Sequence, residues 1–509
     1  MNPTIRRLLA RRKQKIEARL EPAIGGREPR VEGQPELTTQ RIHYEMAERT
    51  QAIPCGGIGA IHQLVQSVGL AGRIDRELRV LKQPRPYQDS DHILNIAYNV
   101  LCGGKTLDDI EVRRNDAAFL DALGARTIPD PTTAGDYCRR FDSVDIWRLM
   151  RIINEVRVDV WRRQPADFRR TAHIDVDGSV VATTGECKEG MDRSYTGVWG
   201  YHPLLVTLAN TREPLFIINR SGNRPSHEGA PTVLNCAIEL CWRAGFQDIL
   251  LRGDTDFTMT THLDEWNDDG VRFVFGYDAN PTFVNRAGNL GDQEYAELVR
   301  RADRLFVKHP RAKPPRVKEE IVRERKYLNQ RLVSEELAEF EHRPIKAAYT
   351  YRIIVLRKLI VDERGQQCLE TNYRYFFYVT NDWNLSQAEV VAEANGRCNQ
   401  ENVIEQLKNG ARALHAPLNT LDANWAYMVI ASLAWTLKAW FALLLPIVSR
   451  WRQQHERDRE IVLNMEFRSF LQQLILIPAQ IVHSGRQLIY RLLAWRPDLP
   501  ILFRLLDAL

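Results

Sequence analysis

His173-Ile174-Asp175-Val176-Asp177-Gly178-Ser179 alternates polar and apolar side chains and then stops at a glycine and a serine. A period of two is the pattern of a strand, and Gly178-Ser179 ends it in a turn. Further along, His202 to Leu208 and Leu215 to Asn219 read as two more apolar strands, the second closed by Ser221-Gly222-Asn223. The spacing from about Thr232 to Ala244 predicts a helix stopped by Gly245. Asp248-Ile249-Leu250-Leu251-Arg252-Gly253-Asp254 is a short apolar run suited to a buried strand. Three strands, a helix and a further strand predict an α/β fold with a mixed sheet.

The rest of the chain is arranged around this segment. Residues 1–50 read as a basic arm and linker, with seven Lys and Arg against Glu17 in the first twenty, then Gly25-Gly26, Pro29 and Pro35. Residues 51–168 are helical in pattern. Ile61, Leu64, Val65 and Val68 recur at helical spacing, as do Ile93, Ile96, Ala97, Val100 and Leu101. Pro129-Asp130-Pro131-Thr132-Thr133 supplies a turn and an N-cap. Residues 169–280 are the first part of the α/β core, and 281–382 are a β-rich insertion with Tyr349–Leu356 and Tyr373–Val379 as strands. Residues 383–450 return to the core, opening with the capping box Ser386-Gln387-Ala388-Glu389. Residues 451–509 form a C-terminal helical region.

Composition narrows the class. In 509 residues, 44% are apolar and 27% charged, as in an ordinary globular chain, and the net charge of +5 is too small to signal a polyanion partner. Its distribution says more: residues 300–326 carry eleven cations against four acids, a local excess suited to tracking a nucleic-acid backbone. The eight cysteines are scattered without a CxxC pair, which favours reduced thiols over a zinc site. No signal-peptide core opens the chain. Trp425 to Val448 is apolar enough to imitate a membrane span, but Lys438 at its middle argues for a buried core helix and no membrane partner. Gly104-Lys105-Thr106 imitates a phosphate loop, yet Asn99 stands where that motif needs glycine and a helix precedes it.

Three acids stand where chemistry is done. Asp177 and Asp254 each end a predicted strand, the edge at which open α/β sheets place ligands. Asp175 competes with Asp177, lying on the same strand face, and Asp256 competes less with Asp254. Glu401 lies on a later predicted helix, in Arg397-Cys398-Asn399-Gln400-Glu401 with Lys408 seven residues on. At 100° per residue, Glu401 falls about 40° and Lys408 about 20° from Arg397, so all three share one stripe. Carboxylates without clustered His or Cys suit Mg²⁺ or Mn²⁺. Two such ions can serve the attacking and leaving oxygens of a phosphodiester. Trp199 could stack on a base, though beside Gly197 and Gly200 packing is the commoner role; His173 and His202 read as structural.

The chain resembles the DDE transposases of bacterial insertion sequences, in the group with the signature Y-x2-R-x3-E-x6-K. Here the signature reads Ala394-x2-Arg397-x3-Glu401-x6-Lys408, three of four positions, with alanine in place of tyrosine. Asp177-Gly178-Ser179 and Leu250-Leu251-Arg252-Gly253-Asp254 are similar to the family's first and second aspartate motifs. The resemblance implies a ribonuclease H-like catalytic core, with the insertion between its last strand and the glutamate-bearing helix. It implies that Asp177, Asp254 and Glu401 are catalytic and hold Mg²⁺ or Mn²⁺, two ions, while Arg397 and Lys408 bind DNA phosphates. It implies cutting at transposon ends and joining of the 3′-hydroxyl to target DNA. The partners would be double-stranded DNA, as terminal repeats and target, bound by a homodimer, with residues 51–168 as the DNA-binding region and a nucleoid-associated place in a bacterial cytoplasm. The alternatives are a metal-dependent nuclease without strand transfer and an inactive DNA-binding relative.

Overall fold

The computed structural model describes residues 7, 10, 11, 13–15 and 50–509, apart from 84–85, 186, 299–327, 365–366 and 486. The basic run 300–326 and most of the arm 1–50 lie outside the described residues. From residue 50 onward the first element is a short strand β1 (Gln51–Ile53). Helices α1 (Ile58–Ser67), α2 (Leu70–Glu77), α3 (Asp89–Leu101), α4 (Ile110–Arg114), α5 (Ala117–Ala122), α6 (Pro131–Cys138) and α7 (Ser143–Arg162) follow. The expected N-cap is present: Thr133 N donates to Asp130 Oδ1 at 2.9 Å. The rejected phosphate loop is closed by Asn99, whose Nδ2 donates to the Thr106 carbonyl at 2.8 Å.

The sheet begins with β2 (Thr171–Gly178). Next come three short strands, β3 (Val181–Ala182), β4 (Asp192–Arg193) and β5 (Trp199–Tyr201), which form a small sheet of their own. Then β6 (Leu204–Leu208) and β7 (Glu213–Ile218), helix α8 (Ala230–Ala244), β8 (Asp248–Gly253), helix α9 (Leu263–Asp268) and β9 (Arg272–Tyr277) complete the core. Strand β2 pairs antiparallel with β6 and parallel with β8, β6 pairs antiparallel with β7, and β8 pairs parallel with β9. The order β7-β6-β2-β8-β9 is the ribonuclease H-like arrangement, with the first strand at the centre. Gly245 ends α8 in the left-handed region (φ 90°), with Gly245 N bonded to Trp242 O and Phe246 N to Cys241 O, a Schellman stop.

The β-rich region continues this same sheet. After α10 (Pro281–Gly288) and β10 (Ala296–Glu297) come the long strands β11 (Leu328–His342), β12 (Tyr351–Arg364) and β13 (Gln367–Thr380). Strand β13 pairs with β9, Thr380 facing Val274 and Phe377 facing Tyr277, so the order runs β10-β11-β12-β13-β9 into the core strands.

Helices close the core. The expected single helix through Arg397 is two: α11 (Gln387–Gly396), opened by the Ser386–Glu389 capping box, and α12 (Cys398–Glu405). A π-helical turn at Gln406–Gly410 follows. Helix α13 (Leu421–Leu443) is long and apolar enough to cross a membrane, yet its most apolar stretch is wholly buried, as a core helix should be. Its Lys438 donates to the Leu463 carbonyl at 2.9 Å beside the Trp435 ring, and burial pushes its pKa down to about 7. Residues 451–509, expected to be helical, hold α14 (Arg452–Asn464), a short α15 (Phe467–Phe470), the hairpin β14 (Ala479–Ser484) and β15 (Gln487–Leu492), and α16 (Leu499–Leu506). Strand β14 pairs with β1 at the other end of the described chain. The turn is made by Gly485 at φ 59°, where glycine carries no steric penalty.

One buried knot fastens α7, β7 and α13 together. Glu213 is fully buried and accepts from Arg157 Nε, Trp161 Nε1 and Trp440 Nε1, each at 2.9 Å. A buried carboxylate so bonded is tolerated, but stripping one partner leaves the other charge uncompensated. Glu213→Ala, which strands Arg157, is expected to lower unfolding stability by about 3–5 kcal/mol. Denaturant titration checks this; a loss below about 1 kcal/mol would show the knot contributes little.

Candidate active site

Register places the first two acids. In the parallel pair β2–β8, Asp175 lies opposite Arg252. Two residues further along their chains, on the same faces, stand Asp177 and, just past β8, Asp254. Asp177 Oδ1 accepts from Gly178 N at 2.8 Å, and Asp254 Oδ1 accepts from Asp256 N at 3.0 Å. Both carboxylates are thus oriented by the turns that end their strands, as Asp at such positions commonly is.

Arg397 gathers them with the third acid. Its Nη1 lies 3.2 Å from Asp177 Oδ2 and 4.0 Å from Asp254 Oδ2, and its Nη2 lies 3.7 Å from Glu401 Oε1. Arg397 occupies the joint between α11 and α12, one helical turn before Glu401. The Glu401 side chain is 60% exposed, against 17% for Asp177 and 34% for Asp254, so it is the freest of the three to move.

Lys408 departs from the expected stripe. Carried round by the π-helical turn, its Nζ donates to the Val180 carbonyl at 2.8 Å, in the turn that follows Asp177. Burial pushes its pKa down, while Glu405 and Asp177 hold it up. It braces that turn rather than pairing with Glu401. Ala394, at the signature's tyrosine position, packs on the apolar cluster of Leu250, Val274, Val390 and Val391.

The rival aspartates fall to different places. Asp175 is fully buried and gripped by both sides of the Arg252 fork, Nε to Oδ1 at 2.6 Å and Nη2 to Oδ2 at 3.0 Å. Asp256 joins none of these pairs; its backbone N–H serves Asp254. His173 lies 3.6 Å from Glu393, and His202 bonds through Nδ1 to the Arg224 carbonyl while its ring packs over Gly178, where a Cβ would come within 2.7 Å of Nε2. Trp199, expected to pack, is 54% exposed on the β4–β5 hairpin, and Tyr195 at its tip is exposed too.

The sequence motif around Asp254 includes Arg252 but gives it no role, and Glu393 and Gly396 stand outside the motifs. A glycine within a helical pattern was the available signal: a Cβ on Gly396 would sit 2.5 Å from Arg252 Nη1.

The charges do not balance. Burial is the main cause that raises the Asp177 pKa to about 6, with Arg397 pulling it down and Asp254 and Glu401 pushing it up. Asp254 is raised as well, chiefly by burial and against the pull of Arg397, with Asp256 and Glu401 adding to it. One guanidinium leaves three carboxylates short of positive charge. Among the described residues no three His, Cys, Asp or Glu side chains stand close enough to hold a metal as they are. The donor set of carboxylate oxygens nonetheless fits a hard divalent cation, with Arg397 holding the place of positive charge.

The sequence profile of the family Transposase DDE domain group 1 matches residues 51–509, and the chain belongs to that family. Among solved structures, the cryo-EM structure of the piggyBac transposase synaptic complex with hairpin DNA is similar at 10% identity and a TM-score of 0.36, over 82% of this chain and 83% of that one. No curated protein matches the chain.

The pKa of Asp177 gives a signed prediction. Because it is higher folded than unfolded, the unfolded chain loses this proton first, and stability falls as pH rises from about 4 to 6. Asp177→Asn is therefore expected to stabilise the protein by about 3 kcal/mol at pH 7–8, with the gain gone near pH 4. Thermal unfolding across that range tests it, and a gain independent of pH would contradict the assignment.

Proposed function

We propose that this member of the transposase DDE family is an insertion-sequence transposase of the group whose signature its Arg397, Glu401 and Lys408 match. On this reading it cuts at transposon ends and joins the freed 3′-hydroxyl to target DNA. The observation that carries the reading is the convergence of Asp177, Asp254 and Glu401, from two strand ends and a later helix, on the Arg397 guanidinium. Mg²⁺ or Mn²⁺ ions held by these three carboxylates would supply the positive charge that activates the attacking oxygen and stabilises the departing one.

The chain's own residues do the rest. Asp177 and Asp254, oriented by the Gly178 and Asp256 N–H groups, hold their oxygens where the strands end. Glu401 closes the set by turning its exposed side chain inward. Arg397, released from the carboxylates, then grips phosphate oxygens with its planar fork. Lys408 holds the turn at Val180 against α12 and adds fixed positive charge beside the DNA backbone. The helical residues 51–168 and the basic run 300–326 bind the flanking DNA, and two copies bring paired ends together.

Labelled transposon ends, supercoiled target and Mg²⁺ test this. The wild type is expected to give cut and joined products, and Glu401→Gln or Asp254→Ala neither. Cleavage without joining would leave a nuclease, and cleavage surviving Asp254→Ala would remove the three acids from the chemistry.

A further inference from the structure

Arg252 joins the two strands that lead to Asp177 and Asp254 to α11, the helix that runs into the Arg397 joint ahead of Glu401. It lies on β8, two residues before Asp254. Its fork takes Asp175 on β2, two residues before Asp177. Its remaining nitrogen, Nη1, donates to Glu393 Oε2 at 3.0 Å on α11, four residues before Arg397. The contact is nearly sealed from solvent, with Arg252 5% exposed and Asp175 0%. Gly396, at the end of α11, leaves the space in which Nη1 sits.

We propose that Arg252 is a positioning residue that sets the spacing of Asp177, Asp254 and Glu401, and that Gly396 is glycine to admit it. The inference rests on the reading of those acids as a cation site. Three like charges brought together repel one another, and the strands and helix that bear them need a restraint at the level of the backbone. A buried bidentate Arg–Asp pair supplies direction as well as attraction. The third nitrogen extends the restraint to the helix joint, so β2, β8 and the α11–α12 joint move as one body. Asp175 is thus an anchor for Asp177 rather than its rival.

Charge and position predict opposite results. If Arg252 acted only as a nearby positive charge, weakening its hold would leave Mn²⁺ binding unchanged, and removing the charge would tighten it. If it positions the acids, Arg252→Lys, which keeps the charge but loses the fork, weakens Mn²⁺ binding. Gly396→Ala keeps every charge, so if Arg252 acted only through its charge, Mn²⁺ binding would be unchanged. Positioning predicts weaker binding here too, because the new methyl displaces the guanidinium.

The test titrates the full chain with Mn²⁺, without DNA, by electron paramagnetic resonance, with Asp177→Asn marking the signal that belongs to the site. Arg252→Lys and Gly396→Ala are expected to weaken that binding about tenfold or more, the range for groups that orient metal ligands. Because the methyl presses on the buried Arg252–Asp175 pair, the unfolding midpoint of Gly396→Ala is expected to fall, and binding is compared at temperatures where both variants are fully folded. Hydrogen exchange of residues 393–401 should quicken in both variants while β2 and β8 stay protected. Wild-type Mn²⁺ affinity in both variants, with unchanged exchange, would overturn the proposal. Should the wild type show no Asp177-dependent Mn²⁺ signal, the cation reading fails, and exchange at 393–401 alone decides whether Arg252 holds the joint.

Discussion

The alignment of β2 against β8, with Asp175 opposite Arg252, is the constraint on which the site depends. Side chains two residues apart on a strand share a face, so this pairing carries Asp177 and Asp254 to the same edge. The pairing is made between unlike charges, and the residues it delivers are like charges. The buried pair is therefore the counterpart of the exposed repulsion two residues on. Its third contact, to Glu393, brings in the helix joint on which Arg397 and Glu401 ride.

Charge is handled in two ways in this fold. At the Glu213 knot and at Asp175, buried carboxylates are met by several N–H donors and hold layers together. At Asp177, Asp254 and Glu401 a single guanidinium is shared among three acids at 3.2, 4.0 and 3.7 Å. The first arrangement is saturated and rigid. The second leaves three carboxylates to one guanidinium, the condition that the proposed cation site would relieve. Only the environment separates Asp175 from Asp177, two residues apart on one strand.

Much of this could be read from local pattern. The strands around Asp177 and Asp254, the helix stopped by Gly245 and the burial of the Trp425 segment follow from periodicity and turn residues, and the structure has them. The break at Gly396 did not follow, because a wheel drawn on Arg397 assumes one regular helix; the joint and the π-helical turn move Lys408 to Val180 instead. The hairpin β14–β15 was missed for another reason, since its partner β1 lies at the far end of the chain and the runs are short. Trp199 was expected to pack, and a hairpin with its own small sheet leaves it facing solvent.

By itself the sequence determined which residue types stand at strand ends, the order of the three acids and the periodicity that makes a mixed sheet, because these depend on neighbours within a few residues. Only the tertiary structure decided which aspartate of β2 is spoken for, that one arginine faces all three acids, and why position 396 is glycine. Those outcomes hang on partners as far as 77 and 220 residues away, Arg252 for Asp175 and Arg397 for Asp177. An ion pair is set by where the folded chain brings its two ends, and no local period encodes that distance.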